Sequence, residues 1–192
     1  ITAKDLSNPR PDRFYVRVQD TEKALGALAS WYKTLFPIPF LAVTGSVGKT
    51  TTKDMLAAVL GVRYRVMKTA GNHNNNVGMP LTLLELNRSH QICVLEMGMD
   101  RFGEIDYLGG LVQPDVGIIT NIGDAHIERL GSRENIFKAK CELLPHVKEN
   151  GLLVLNGDDE FLTTLRGSTS VPTVFYGKGE GLEYQAQVTG GD

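Results

Sequence analysis

What most limits the fold of this chain is a set of short, almost wholly apolar runs, each followed by a stretch of helical periodicity. Residues 40–44, 92–95 and 116–120 show no alternation of apolar and polar side chains. Strands of that kind are buried on both faces, and strands separated by helices pair in parallel. Residues 21–36 carry apolar side chains at 24, 25, 28, 29, 31, 32, 35 and 36, an amphipathic helix capped by Asp20 or Thr21 and ended by Pro37 and Pro39. Further helices are expected at 50–60, 80–86 (Pro80 in its first turn), 104–112 and 133–147. Further strands are expected at 63–68, 152–155 and 171–176, with one more in the glycine-rich tail 177–192. The expected fold is α/β, a mostly parallel sheet with helices on both faces. Ligands of such sheets bind beyond the carboxyl ends of the strands, which points to 45–51, 69–79, 96–104, 121–131 and 156–159.

Composition narrows the function. A chain of 192 residues that is 42% hydrophobic and 22% charged suits one globular domain and excludes a disordered chain, a coiled coil or a collagen-like fibre. Twenty basic residues against 22 acidic ones leave no field to hold nucleic acid or an anionic membrane. No apolar run approaches a bilayer span, so no membrane insertion is expected. Cys93 and Cys141 stand alone in apolar patterns without metal spacing, as buried thiols of a cytoplasmic protein would. The opening Ile-Thr-Ala-Lys-Asp has neither an initiator Met nor a signal pattern and reads as a cut end. Residues 1–19 lack a period and look like the remnant of a preceding domain.

The sharpest chemical signal is Thr44-Gly45-Ser46-Val47-Gly48-Lys49-Thr50-Thr51, between a buried strand and a helix. Amides of a glycine-rich turn at a helix N-terminus cradle phosphate oxygens, Lys49 would reach the β- and γ-phosphates, and the Thr50 hydroxyl would sit on Mg²⁺. Val43 occupies the place of the usual first glycine, so the loop is a variant. Glu96 ends its strand where a carboxylate can hold Mg²⁺ beside the phosphates. No Asn-Lys-x-Asp guanine-reading sequence occurs, which disfavours a GTPase; Thr120-Asn121-Ile122-Gly123 is its poor nearest likeness.

Other residues have a bland reading beside a functional one. Loop histidines usually do nothing special, and His126 gains weight only from a strand end that should lie near Glu96; His73, His90 and His146 are given no role. Lys140 falls in the stripe of Ile136, Ala139, Leu143, Leu144 and Val147, whereas Lys138 points away. Lys140 either snorkels outward or is buried, and a buried neutral amine can take up CO₂ as a carbamate. Residues 71–78, with four asparagines in five positions (Asn72, Asn74, Asn75, Asn76), form either a plain turn or an amide surface for sugar or peptide.

These blocks together resemble the Mur ligase family: 44–53, the Gly-Asn-His-Asn-Asn-Asn-Val-Gly-Met-Pro-Leu-Thr-Leu-Leu of 71–84, and the Glu-Met-Gly-Met-Asp-Arg-Phe-Gly-Glu-Ile of 96–105. Thr-Asn-Ile-Gly-Asp-Ala-His (120–126), Lys-Ala-Lys-Cys-Glu-Leu-Leu (138–144) and Leu-Asn-Gly-Asp-Asp (155–159) extend the likeness over roughly 14–176. The 71–84 and 96–105 blocks are most similar to the branch that joins D-alanyl-D-alanine to UDP-N-acetylmuramoyl-tripeptide. The resemblance implies an ATP-dependent amide ligase of peptidoglycan precursor synthesis, acting through an acyl phosphate, with a P-loop NTPase-like central domain. It implies that Lys49 and the 45–51 backbone (Gly45, Ser46, Val47, Gly48, Thr50, Thr51) hold ATP, and that Thr50 and Glu96 hold one Mg²⁺. His126 would hold a second with Lys140 as its carbamate, and Asn72, Asn74 and Asn75 would contact the UDP-sugar-peptide. The family has three domains. Residues 1–19 would then be a remnant of the N-terminal UDP-binding domain and 20–192 an incomplete central ATP-binding domain, with the C-terminal domain absent. Such a piece is expected to be inactive alone, and the complete enzyme a monomer. Alternatives are another Mur or folylpolyglutamate-type ligase, an amidoligase of murein, or a non-catalytic nucleotide-binding module.

Overall fold

In the computed structural model, which describes residues 1–5 and 10–187, the apolar runs pair into one sheet. Its strands are β1 (Phe40–Thr44), β2 (Val66–Lys68), β3 (Ile92–Glu96), β4 (Val116–Ile119), β5 (Leu152–Asn156), β6 (Thr173–Gly177) and β7 (Tyr184–Gln185). All pairings are parallel, in the order β2-β3-β1-β4-β5-β6-β7. The helices are α1 (Thr21–Lys33), α2 (Lys49–Gly61), α3 (Gly78–Leu84), α4 (Glu104–Val112), α5 (Ile127–Leu130) and α6 (Arg133–Cys141). None is long and apolar enough to cross a membrane.

Strand order explains the layering. From β1 the chain steps outward to β2, and each later strand lies on the other side of its predecessor. Right-handed crossovers therefore send α2 to one face and α3, α4 and α6 to the other. The packing agrees: Leu56 and Leu60 of α2 meet Leu41, Val43, Ile92 and Val94. On the opposite face Leu83, Ile105, Leu108 and Ile136 meet Ala42, Cys93, Leu95 and Leu153. Alternate residues of β1 and β3 thus feed two cores, which is why neither strand can alternate with polar side chains. Each fully buried Leu or Ile contributes ~1.5–3 kcal/mol, so both cores hold these central strands. The connections that leave neighbouring β1 and β3 run in opposite directions across the sheet and to opposite faces, and the carboxyl ends of β1, β3 and β4 frame the switch point where ligands of such sheets sit.

Several expected elements are shorter. The helix expected at 133–147 stops at Cys141, and residues Leu144–His146 form a 3₁₀ turn. Pro145 has no N–H to continue the helix, and its ring would strike the carbonyl four residues back. Leu143 and Val147 still reach the core. The helix expected at 21–36 ends at Lys33, with Asp20 as its cap. Of 63–68 only Val66–Lys68 is strand, because the Arg63 and Tyr64 amides still bond to Leu60 of α2. Cys93 is buried but Cys141 only half-buried, and burial pushes both thiols up to about 12. The tail supplies its strand, β7, while glycines 190 and 191 lie outside the described residues. Of residues 1–19, numbers 6–9 are likewise outside, and the rest contribute one bridge, Thr2 to Arg17.

Candidate nucleotide and metal site

The turn after β1 folds back on itself because two glycines allow it. Gly45 adopts φ +146, and a Cβ there would fall 1.9 Å from Thr120 Oγ1. Gly48 adopts φ +84 as the residue entering α2. The loop is clasped from the side by the segment after β4. Asn121 accepts the Val47 N–H through Oδ1 at 3.0 Å, accepts the Ser46 N–H through its carbonyl at 3.0 Å, and donates Nδ2 to the Val47 carbonyl at 2.9 Å. Ser46 Oγ accepts the Gly123 N–H at 2.8 Å. Two of the amides expected to cradle phosphate are therefore occupied. The first-turn N–H groups of α2, which have no carbonyl within the helix, point the cradle to 48–51. Lys49 Nζ donates to its own loop, to the Gly45 carbonyl at 2.8 Å. Burial holds its pKa below the usual lysine value, opposed by the charge of Glu96.

Glu96 closes β3 at 3% exposure. Its backbone N–H donates to Thr69 Oγ1 at 2.9 Å. Its carboxylate accepts Thr50 Oγ1 on one oxygen and Asn74 Nδ2 on the other, each at 2.9 Å. Gly98 makes room for Asn74, since a Cβ there would lie 2.9 Å from the Asn74 side chain. A hydroxyl and a carboxylate are hard oxygen donors of the kind that hold Mg²⁺ when phosphates complete its shell, so Thr50 and Glu96 fit that ion. Among the described residues no three His, Cys, Asp or Glu side chains gather without such help.

Beside this pair lies a cavity of about 240 Å³ lined by Lys49, Asn74, Asn75, Asn76, Asp100, Glu104 and His126. His126, in the left-handed region at φ 69, pairs through Nδ1 with Asp100 Oδ1 at 2.9 Å. That contact leaves Nε2 for another partner, the arrangement by which carboxylates orient metal-binding histidines. Asp100 also pairs with Arg129, and its N–H donates to Glu104 at 2.6 Å. Asn75 faces the cavity but uses Oδ1 to accept the Gly78 N–H at 2.8 Å as α3 starts, whereas Asn72 is exposed and lines nothing there. Lys140 is 1% exposed and has no hydrogen-bond or ion-pair partner among the described residues. Burial, then the nearby charge of Lys49, lowers it to about 7. Lys138 is exposed.

Sequence reasoning missed Asn121, Asp100 and Lys53, a buried lysine of α2 close to Glu96. Lys53 had a signal, because residues four apart share a helical face and Lys49 was already placed on it. Asn121 and Asp100 had none, since their roles are contacts between separate strand ends.

A model of the Mur ligase middle domain matches residues 43–190. The chain is similar to the UDP-N-acetylmuramoyl-tripeptide--D-alanyl-D-alanine ligase of Bacillus subtilis, 46% identical over 184 residues, 96% of this chain and 40% of that protein. It superposes on MurF from Acinetobacter baumannii with a TM-score of 0.83 at 39% identity, covering 88% of this chain and 37% of that one. MurF from Thermotoga maritima in complex with ADP gives 0.83 at 37% identity, covering 94% and 41%. The chain thus spans about 40% of the length of the Bacillus relative it matches.

Proposed function

The chain belongs to the Mur ligase family, and on that premise we propose that the protein containing it joins D-alanyl-D-alanine to UDP-N-acetylmuramoyl-tripeptide at the expense of ATP. The observation that carries the reading is the meeting of three strand ends. A glycine-rich loop follows β1, the Glu96–Thr50 pair ends β3, and the His126 segment follows β4 and lines one cavity with Lys49, whose charge also reaches the buried Lys140. The reading assigns residues 20–192 to the ATP-binding middle domain, and the protein to the cytoplasm as a monomer. The two free thiols are compatible with that compartment.

The substrate carboxylate attacks the γ-phosphorus of ATP, the bond to the bridging oxygen breaks, and ADP leaves an acyl phosphate. The amine of D-alanyl-D-alanine then attacks the acyl carbon, and phosphate and a proton depart. Lys49 and the amides of 48–51 hold the phosphates in line, with Lys49 exchanging the Gly45 carbonyl for a phosphate oxygen. Thr50 and Glu96 would hold one Mg²⁺, and His126 with Lys140 a second. Such ions, when bound, would supply neutralising charge for the phosphoryl group as two anions approach. An ammonium cannot ligate a cation. Lys140 serves once its neutral amine adds to CO₂, a C–N bond forming and a proton leaving, and burial favours that amine. Asn74 fixes Glu96, and Asn75, which lines the cavity, would meet the sugar-peptide, with Asn72 farther out on the same loop. In the protein containing this chain, sustained ADP release over many turnovers should require both the muramoyl tripeptide and D-alanyl-D-alanine. Equal turnover with a folate or a shorter muramyl peptide would overturn the reading.

A further inference from the structure

Beside Glu96 a second buried lysine of α2 has no part in the proposed chemistry. Lys53 lies one turn beyond Lys49 on α2, is 2% exposed, and ends 3.8 Å from Glu96 Oε2 and 3.6 Å from Asp54 Oδ1. Asp54 is bound more closely, at 2.7 Å, by Lys68 of β2. Both contacts of Lys53 exceed hydrogen-bond length, so it acts on Glu96 through charge and leaves the carboxylate's bonding directions to Thr50 and Asn74.

A buried carboxylate with no opposite charge is costly, and neutral donors orient it without cancelling its charge. The charge of Lys49 also reaches Glu96, but its ammonium is bonded to the Gly45 carbonyl, and Lys53 is the cation within ion-pair distance of the carboxylate. We propose that Lys53 is a positioning residue that stands in for the divalent cation while no nucleotide is bound, balancing and aiming Glu96, and thereby ties cation binding to the arrival of the nucleotide phosphates. The proposal rests on the reading of Glu96 and Thr50 as cation ligands. With Lys53 in place a bare dication meets a carboxylate already neutralised and an ammonium of its own sign just beyond. Nucleotide phosphates supply the missing negative charge, so cation and nucleotide bind together.

The test is Mn²⁺ binding to the chain, read as free Mn²⁺ by electron paramagnetic resonance, with and without ADP. Lys53→Met should bind Mn²⁺ in the absence of nucleotide about ten-fold more tightly than the wild type, and Lys53→Arg should not. Unchanged affinity in Lys53→Met overturns the proposal. Where that variant melts at a lower temperature, Mn²⁺ alone should raise its Tm more than it raises the wild type's, and equal shifts also overturn it. Glu96→Gln separates the two ideas. If it leaves Mn²⁺ binding with ADP intact, the cation does not sit at Glu96 and the functional reading fails. If it abolishes that binding while Lys53→Met changes nothing, only the role of Lys53 fails.

Discussion

The two ends of the sheet each bury a lysine and treat it in opposite ways. At the amino end Lys33 donates to the Val112 carbonyl and lies 5.1 Å from the centre of the Phe40 ring. Asp115 stands near, held by the Phe40 N–H at 2.8 Å and by Lys148 at 2.7 Å. Burial, with Lys148, lowers Lys33 to about 8, and Asp115 pulls it back. At the carboxyl end Lys140 has no acceptor among the described residues, faces another cation in Lys49, and falls to about 7. Burial alone therefore does not mark a functional lysine. A buried amine that the fold has already bonded belongs to the architecture, and one left unbonded is open to an added group.

The largest expected effect lies at the carboxyl end. Lys49→Ala should weaken ATP binding by roughly 100-fold, ~2.7 kcal/mol, because a charge-assisted contact to phosphate is lost. A titration with a fluorescent ATP analogue measures it, and an unchanged affinity would mean that Lys49 stays on the Gly45 carbonyl throughout. Next, Gly45→Ala should cost about 2 kcal/mol of stability, from left-handed backbone strain and the collision with Thr120, as denaturant melts would show.

The two lysines themselves then diverge. Lys140→Met should leave the fold as stable or stabilise it by about 1 kcal/mol or more at pH 7, since it replaces an unpartnered amine by a buried thioether. Lys33→Met should cost about 1 kcal/mol, because it strands the Val112 carbonyl. Opposite signs would sustain the comparison; equal losses would make Lys140 an ordinary structural lysine. The pH dependence sharpens this. With folded values depressed to about 7 and about 8 from 10.5, the unfolded chain binds more protons in that window, so stability rises with pH from each depressed value up to 10.5. Lys140→Met should abolish the rise between pH 7 and 8 and keep the rise above pH 8. Smallest of all, Lys138→Ala should change neither melting nor nucleotide binding beyond ~0.5 kcal/mol, as its side chain is exposed.

Local signals made much of this legible. Phe40–Thr44, Ile92–Glu96 and Glu104–Val112 match their expected bounds, because doubly buried strands and glycine-bounded helices leave marks within a few residues. The glycine turn between β1 and α2, the place of Glu96 at the end of β3 and the inward aim of Lys140 were legible for the same reason. The stopping of α6 at Cys141 was misread although Pro145 was in view, because the apolar stripe continued past the helix that carried it.

The sequence by itself determined which segments are strands and helices, that the sheet is parallel, and at which edge the chemistry gathers, since propensity, periodicity and turn chemistry act over short stretches of chain. Only the tertiary structure decided that β3 lies beside β1, which sets Glu96 within 2.9 Å of Thr50 and 3.8 Å of Lys53. It alone brought Asn121 to the loop amides and Asp100 to His126, contacts between residues 26 to 75 positions apart. Such contacts depend on strand order and on the hand of the crossovers, and neither leaves a periodic trace in the chain.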